Sequence, residues 1–186
     1  MVRLNKIYTR TGDAGTAGLV DGSRVSKSSL RMTAIGEVDE ANAAIGVAIS
    51  ALDEDEIRTS LLRIQNDMFD LGADVATPGE VDGALRIVST QVERLEVEID
   101  AMNADLAPLT SFILPSGPAS VSTLHLARSV VRRAERAVVA LNNADPLNPQ
   151  LLAYLNRLSD HLFVASRKVA ATHGGDALWK PGATRN

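Results

Sequence analysis

Apolar side chains recur along this chain at intervals of three and four residues, and this spacing limits the folds that it can adopt. The clearest stripe consists of Ile57, Leu61, Ile64, Met68, Leu71 and Val75. Such a repeat gives an α-helix one apolar face, which has to be buried against other helices. Aromatic residues make up only 3% of the chain, so aliphatic side chains must fill the core, as they do in helical bundles.

The same spacing, combined with capping and helix-breaking residues, predicts five helices and no strand. Their approximate bounds are 27–52, 55–76, 89–104, 118–142 and 149–172. Ser26 is the predicted N-cap of the first helix, which places Lys27 at the start of that helix. The predicted fold class is therefore an all-α five-helix bundle in a single domain covering residues 1–186. A glycine-rich segment occupies residues 1–26, and we expect the tail at 174–186 to be mobile.

Composition excludes several classes of function. The chain has no cysteine, which removes disulfide scaffolds, thiolate metal sites and cysteine nucleophiles. Its net charge of −4 argues against a general nucleic-acid binder. No apolar run reaches the roughly 18–20 residues of a membrane span, and the N-terminus lacks the apolar core of a signal peptide. We therefore expect a soluble cytoplasmic protein that binds neither nucleic acid nor membranes.

The segment from residue 9 to residue 22 is rich in glycine and hydroxyl side chains. Its glycines are Gly12, Gly15, Gly18 and Gly22, and its hydroxyl and cationic side chains are Thr9, Arg10, Thr11 and Thr16. Such a loop can present successive backbone N–H groups to an anion. It is neither a Walker A loop nor a dinucleotide-binding fingerprint, because the required lysine and preceding strand are missing. A phosphate-binding loop and a flexible arm both remain open.

The fourth predicted helix carries four arginines within nine residues. They are Arg128, Arg132, Arg133 and Arg136, with Glu135 among them. Guanidinium groups suit phosphate oxygens, so this face could hold a polyphosphate, although an ordinary solvated face is the alternative. The loop before the helix contains the apolar run F-I-L-P at 112–115, which either packs on the core or meets a partner.

Common catalytic sets are missing from the sequence. There is no H-E-x-x-H motif and no serine in a G-x-S-x-G turn. His125, His161 and His173 lack the spacing of metal ligands, so we expect them to be structural or surface residues, and we expect no metal site built from protein side chains. If the chain is an enzyme, its nucleophile should come from a substrate or cofactor.

Six sequence blocks in one order resemble the trimeric class of ATP:cob(I)alamin adenosyltransferases, also called corrinoid adenosyltransferases. The blocks are T-R-T-G-D-A-G at 9–15, S-K at 26–27, G-E-V-D-E-A-N at 36–42, F-I-L-P-S-G at 112–117, the arginine helix at 124–136 and Y-L-N-R-L-S-D-H-L-F at 154–163. Together they extend the resemblance over nearly all of the chain. It implies transfer of the 5′-deoxyadenosyl group of ATP to cob(I)alamin, which gives adenosylcobalamin and triphosphate.

The resemblance also implies roles for individual residues. Those matching ATP contacts are Thr9, Arg10, Thr11, Gly12, Asp13, Gly15, Lys27, Arg132, Arg133, Glu135, Arg136 and Asn156. Arg128 matches the catalytic arginine, Asp39 its partner across a subunit interface, and Phe112 the residue that displaces the lower axial ligand of cobalamin. Implied partners are Mg²⁺ with ATP, two further copies of the chain in a homotrimer with active sites between subunits, a reductase and an adenosylcobalamin-dependent mutase.

Two positions depart from the family pattern. Ala17-Gly18 stands where threonine or serine is common, and Ser116 replaces a glycine.

Two other interpretations of the function also remain open. One is a non-catalytic ATP- and cobalamin-binding or delivery module, and the other is a structural helical oligomer whose arginine helix is only an interface.

Overall fold

A computed structural model of the chain describes residues 7–185, and five α-helices form most of it. They are α1 (Leu30–Ser50), α2 (Asp55–Val75), α3 (Ser89–Asn103), α4 (Ala119–Ala144) and α5 (Pro149–Ala171). The prediction of an all-α five-helix bundle is confirmed. The first six residues of the predicted N-terminal segment, and Asn186 of the predicted tail, lie outside the described residues.

Helix α4 has the most central position in the bundle. It packs extensively against both α1 and α5, while α2 lies beside α1 and α3 lies beside α5. The apolar stripes predicted from the sequence are buried, as shown by Leu61, Ile64 and Leu71 at 0% exposure. Among the helices of residues 7–185, none combines the length and apolar character needed to cross a membrane.

The first helix begins later than predicted. Its N-cap is Ser29, whose hydroxyl accepts a hydrogen bond from the Met32 backbone N–H at 3.3 Å. Ser26, the predicted cap, instead ends a short strand, β2 (Arg24–Ser26), which pairs antiparallel with β1 (Thr16–Gly18). The predictions of a Ser26 cap and of no strand are therefore wrong here. Several serines in this stretch offer capping hydroxyls, and the long-range strand pairing decides which one is used.

The β1–β2 hairpin is attached to the bundle at the C-terminal end of α2. The backbone N–H of Val20 donates to the carbonyl of Ala76 at 3.1 Å. Next to this contact, the buried Arg31 donates to the carbonyl of Val75 and pairs with Asp145 at 2.5 Å. Because these donors satisfy carbonyls that a helix end leaves free, they hold the N-terminal segment against one end of the bundle.

Two buried carboxylates of α2 join that helix to its neighbours. Asp67 accepts hydrogen bonds from Tyr154 on α5 at 2.8 Å, from Gln91 at 3.0 Å and from Arg94 on α3. Asp74 is fully buried, and its donors are Arg86 Nη1 at 2.6 Å, the Ile87 backbone N–H at 2.9 Å and Asn148 Nδ2 at 2.8 Å. A buried carboxylate is tolerated only when it is paired in this way.

A third carboxylate, Glu98 on α3, lies in a cluster with Ser60 and Arg63 of α2 and His161 of α5. His161 is fully buried, and its Nε2 lies 2.9 Å from the Glu98 carboxylate. Burial by itself raises the pKa of Glu98, but the hydrogen bonds from His161 and Ser60 and the charges of His161 and Arg63 outweigh it and lower the pKa to about 2. Since the folded pKa lies below the ordinary value of 4.5, ionised Glu98 stabilises the fold above that value. This stabilisation is lost as the pH falls towards 2.

We predict that Glu98→Gln lowers the melting temperature at pH 7 by roughly 2–4 °C. The difference from the unsubstituted protein should shrink as the pH is lowered from 5 towards 2, because Glu98 itself then becomes protonated. Thermal unfolding followed by circular dichroism across this pH range measures it. Glu96→Gln, which affects a more exposed pair with Arg157, is the matched control and should change little. A pH-independent difference would contradict the prediction.

Candidate functional site

The predicted arginine face lies on the outer side of α4. Its inner side is the apolar stripe of Val131, Ala134 and Val138, all at 0% exposure. Arg128, Arg132 and Arg136 follow one another at intervals of one helical turn, so they form a ladder of cations along the opposite surface. Arg136 Nη1 donates to the backbone carbonyl of Arg132 at 3.0 Å. The sequence-predicted face is therefore present, with three guanidinium groups in a row.

Arg128 is the most buried member of this ladder. Burial lowers the pKa of Arg128 and the charge of Arg132 lowers it further, although from an ordinary value of 12.5 the group stays charged at neutral pH. Its Nε is buried without a hydrogen-bond partner in the described part of the chain. A half-buried guanidinium whose Nε lacks a partner, next to a second cation, favours binding of an anion.

Glu135 and Asn156 extend the arginine face towards α5. Asn156 Nδ2 donates to Glu135 Oε1 at 3.0 Å, and Glu135 also lies 3.9 Å from Arg132 Nη1. The structure thus brings these residues from two helices into one polar row. Their proposed contact with ATP stays a prediction, since their present partners are each other.

Arg133 points away from the ladder. Its guanidinium pairs with Glu37 of α1 at 2.5 Å and with Glu40 one turn further along. Hydrogen bonds from Arg133 to these carboxylates raise its pKa. Asp39, on the same helix, is exposed, and within residues 7–185 of a single chain it forms no ion pair with Arg128. The Arg128–Asp39 pair that the resemblance implies across a subunit interface stays a prediction.

The glycine-rich loop is folded back on itself. Asp13 and Gly15 donate from their backbone N–H groups to the carbonyls of Arg10 and Gly12 at 3.3 and 3.1 Å. Arg10 has a φ of 63°, a left-handed conformation that is uncommon for residues other than glycine. The hydroxyls of Thr9 and Thr11 lie 2.9 Å apart. The loop is therefore a turn held by its own hydrogen bonds, and phosphate binding by it stays a prediction.

Lys27 reaches this loop even though it does not begin a helix. A Cβ atom placed on Gly12 would lie 3.0 Å from Lys27 Nζ, so glycine allows the ammonium group to come close to the backbone. The backbone N–H of Lys27 also donates to the Gly15 carbonyl at 2.9 Å. The sequence placed Lys27 at a helix N-terminus, whereas the hairpin places it against the glycine-rich loop.

Sequence reasoning missed Arg24, which contacts the same loop. Its guanidinium donates to the carbonyl of Thr11 at 2.7 Å and to both the carbonyl and the hydroxyl of Thr16 at 3.1 and 2.9 Å. The only sequence signal was a cation near a glycine-rich segment. Recognising its role requires the strand pairing of Arg24 with Gly18, which turns the side chain towards the loop.

Phe112 lies in the loop before α4 and is 78% exposed. The loop is held by the C-terminal segment: Leu114 N–H donates to the Ala177 carbonyl at 2.8 Å and Trp179 N–H to the Phe112 carbonyl at 2.7 Å. The rings of Phe112 and Trp179 lie 6.1 Å apart. The tail that the sequence predicts to be mobile is thus hydrogen-bonded as far as Trp179, because backbone pairing supplies contacts that its polar sequence does not suggest.

Apolar side chains of this region remain on the surface. Leu114, Leu178 and Trp179 are each exposed by more than 40%, whereas Ile113 is half-buried. Most of the loop's apolar side chains thus form a surface patch rather than part of the core, and contact with a partner stays a prediction. Ser116 is accommodated beside Gly117, whose φ of 149° and short approach to Val121 would not suit a side chain.

The histidines show no arrangement for metal binding. His161 is buried against Glu98, and His125 is buried with its ring 6.4 Å from that of Phe163. Burial lowers the pKa of His125, and the neighbouring Arg128 lowers it further. No group of three or more potential ligands (histidine, cysteine, aspartate and glutamate) occurs within residues 7–185.

Two surface cavities have volumes of about 870 and 390 Å³, and neither is lined by the α4 arginines.

The sequence model of the cobalamin adenosyltransferase family matches residues 7–169. A corrinoid adenosyltransferase of Mycobacterium tuberculosis H37Rv is 50% identical over 190 residues, which cover 99% of this chain and 97% of that protein. One of Bacillus subtilis strain 168 is 43% identical over 180 residues, covering 94% and 92%.

A solved structure is similar over the same extent. It is a variant of the PduO-type ATP:corrinoid adenosyltransferase from Lactobacillus reuteri, complexed with cobalamin and ATP. It matches with a TM-score of 0.89 and 33% identity, covering 94% of this chain and 99% of that one. Family match, sequence identity and fold agree, and the chain belongs to the cobalamin adenosyltransferase family.

Proposed function

We propose that this protein is an ATP:cob(I)alamin adenosyltransferase, which transfers the 5′-deoxyadenosyl group of ATP to cob(I)alamin. The supporting observation is the ladder of Arg128, Arg132 and Arg136 on the surface of a member of this family. A cationic row of this kind suits a reaction that releases triphosphate, because negative charge grows on the leaving group as the bond to carbon breaks.

The reaction requires little covalent chemistry from the protein. The electron pair of Co(I) forms the bond to the 5′-carbon of ATP, and the bond from that carbon to the phosphate oxygen breaks with its electrons on triphosphate. The nucleophile is thus a substrate, which agrees with the absence of the common catalytic sets from the sequence. The protein residues have to bind both substrates, align them and stabilise the departing charge.

We assign the triphosphate to the cationic groups of the loop and of α4. The proposed contacts are Thr9, Arg10, Thr11, Gly12, Asp13, Gly15, Lys27, Arg132, Arg133, Glu135, Arg136 and Asn156. The loop and Lys27 are already together, and Arg133 would have to share its guanidinium with Glu37. Mg²⁺ would accompany ATP and neutralise phosphate charge. It would be held mainly by phosphate oxygens and water, as Mg²⁺ bound with a nucleotide usually is.

We assign the corrin ring to the exposed patch around Phe112. Phe112, Leu114 and Trp179 present apolar surface that a large macrocycle could cover. An apolar ring beneath cobalt would displace the lower axial ligand and make reduction of Co(II) easier. The electrons would come from a reductase, and the product would pass to an adenosylcobalamin-dependent mutase.

A cytoplasmic location is part of this proposal, because ATP is available there.

We further propose a homotrimer with active sites between subunits. Within one chain the arginine ladder faces outwards, and Arg128 and Asp39 are not paired. A neighbouring subunit could cover the ladder and bring its own Asp39 to Arg128. This arrangement would exclude water from the triphosphate site and strengthen its electrostatic interactions.

Arg128→Ala should lower kcat by roughly a hundredfold or more, since it removes a charge that acts on the leaving group. The fold should persist because the residue lies at the edge of the core. Turnover of cob(I)alamin with ATP can be followed by absorbance under strong reductant, together with triphosphate release. Arg58→Ala, at the α1–α2 turn, is the matched control. Near-normal turnover by Arg128→Ala would refute the proposed role, and ATP binding without triphosphate release by the unsubstituted protein would favour a delivery module.

Phe112→Ala should reduce turnover more when the assay starts from Co(II) with a reductase than when it starts from preformed Co(I). The expected reason is that the ring acts before reduction, on the axial ligand. Phe69→Ala removes another exposed phenylalanine, on α2, and provides the control. Equal losses in the two assays would argue against ligand displacement.

A mixture of Arg128→Ala and Asp39→Ala subunits should regain activity that neither variant has alone. In a mixed trimer, one interface carries both unsubstituted residues, so one active site is complete. Co-expression followed by light scattering and activity measurement tests the trimer and the interface together. A monomeric mass, or a lack of complementation by mixed trimers, would exclude the shared site.

A further inference from the structure

The guanidinium of Arg24 lies inside the curve of the glycine-rich loop. Its Nη2 donates to the carbonyl oxygens of Thr11 at 2.7 Å and of Thr16 at 3.1 Å, two residues on opposite sides of the turn. Nη2 and Nε also approach the Thr16 hydroxyl at 2.9 and 3.2 Å. One planar group therefore closes the loop between residues 11 and 16, a geometry that the fixed fork of arginine allows.

This closure has a consequence for the backbone N–H groups of the loop. In a trans peptide the C=O and N–H bonds point in opposite directions. When the Thr11 carbonyl is turned towards Arg24, the N–H of Gly12 must point away from it. Within the described residues, this N–H makes no hydrogen bond, and Lys27 Nζ lies close to the same glycine. Arg24 thus orients a free donor next to a cation, as an anion-binding loop requires.

Contacts of the β1–β2 hairpin hold Arg24 in place. It pairs with Gly18 in the β1–β2 hairpin, and Val20 in the connecting turn donates to the Ala76 carbonyl at the end of α2. On the other side, Lys27 N–H is bonded to the Gly15 carbonyl at 2.9 Å. The loop is therefore tied through Arg24 to a hairpin that the bundle holds in place.

Building on the proposed function, we infer that Arg24 is a positioning residue that shapes the loop at 11–16 to receive the triphosphate of ATP. It acts through the loop, because its Nε and Nη2 donors are already directed at Thr11 and Thr16.

Two substitutions separate geometry from charge. Arg24→Ala removes the closure and the charge, whereas Arg24→Lys keeps the charge but cannot bridge both carbonyls and the hydroxyl at once. Thr16→Val removes one acceptor of Arg24 and leaves the cation intact. The matched control is Arg58→Ala, since Arg58 likewise donates to two carbonyls, of Ile49 at 2.9 Å and of Leu52 at 3.2 Å, but at the α1–α2 turn.

The measurements are the Kd for Mg-ATP by titration calorimetry, and KM for ATP and kcat by the turnover assay, all on the full-length protein. We expect Arg24→Ala and Arg24→Lys each to raise Kd and KM for ATP by roughly tenfold or more, with kcat at saturating ATP changed less than about twofold. Thr16→Val should raise both constants by a smaller factor. Arg58→Ala should leave them unchanged, and circular dichroism should show the same helical content throughout.

Near-normal ATP affinity in Arg24→Lys, with loss only in Arg24→Ala, would show that charge alone matters and would overturn the inference. Normal affinity in both, or a loss confined to kcat, would overturn it as well. An unsubstituted protein that binds ATP but transfers no adenosyl group would refute the proposed function, while the Kd series would still decide the role of Arg24.

Discussion

Burial of one apolar stripe of α4 between α1 and α5 is the constraint on which the rest of this structure depends. Full burial of a valine or leucine stabilises a protein by roughly 1.5–3 kcal/mol, whereas an exposed ion pair contributes about 0–1 kcal/mol. The orientation of α4 is therefore set by Leu124, Val131 and Val138 rather than by its charges. Once that stripe faces inwards, the helical repeat leaves Arg128, Arg132 and Arg136 together on the surface.

The bundle also holds two loops in place, the glycine-rich loop and the loop that carries Phe112. Arg31 and the Val20–Ala76 contact hold the N-terminal hairpin at the end of α2, and the hairpin in turn carries Arg24 and Lys27 to the glycine-rich loop. At the other loop, the C-terminal segment pairs with residues 112–114 and keeps Phe112 on the surface. Both regions proposed to bind substrates are thus loops held by backbone hydrogen bonds to the helical bundle, a common way of placing function on a stable scaffold.

The buried polar groups show where sequence reasoning has a limit. Asp67 and Asp74 lie on α2 directly before Met68 and Val75 of its apolar stripe, but no local pattern shows which donors their carboxylates receive. Only packing reveals that Asp67 receives the Tyr154 hydroxyl and that Asp74 receives Arg86 and Asn148. The same holds for Arg133, which the sequence groups with the other arginines but which the fold pairs with Glu37.

By itself, the sequence determined the helix count, the buried stripes, the arginine face and, through its motif blocks, the family. These are local or periodic properties, because the side chains of one helical face share a fixed repeat. The tertiary structure decided where α1 begins, since strand pairing competes with helix capping at Ser26. It also decided that Arg24 and Lys27 meet the loop and that the tail binds the Phe112 loop. Such contacts join residues far apart in sequence, and their geometry follows from packing rather than from any local pattern.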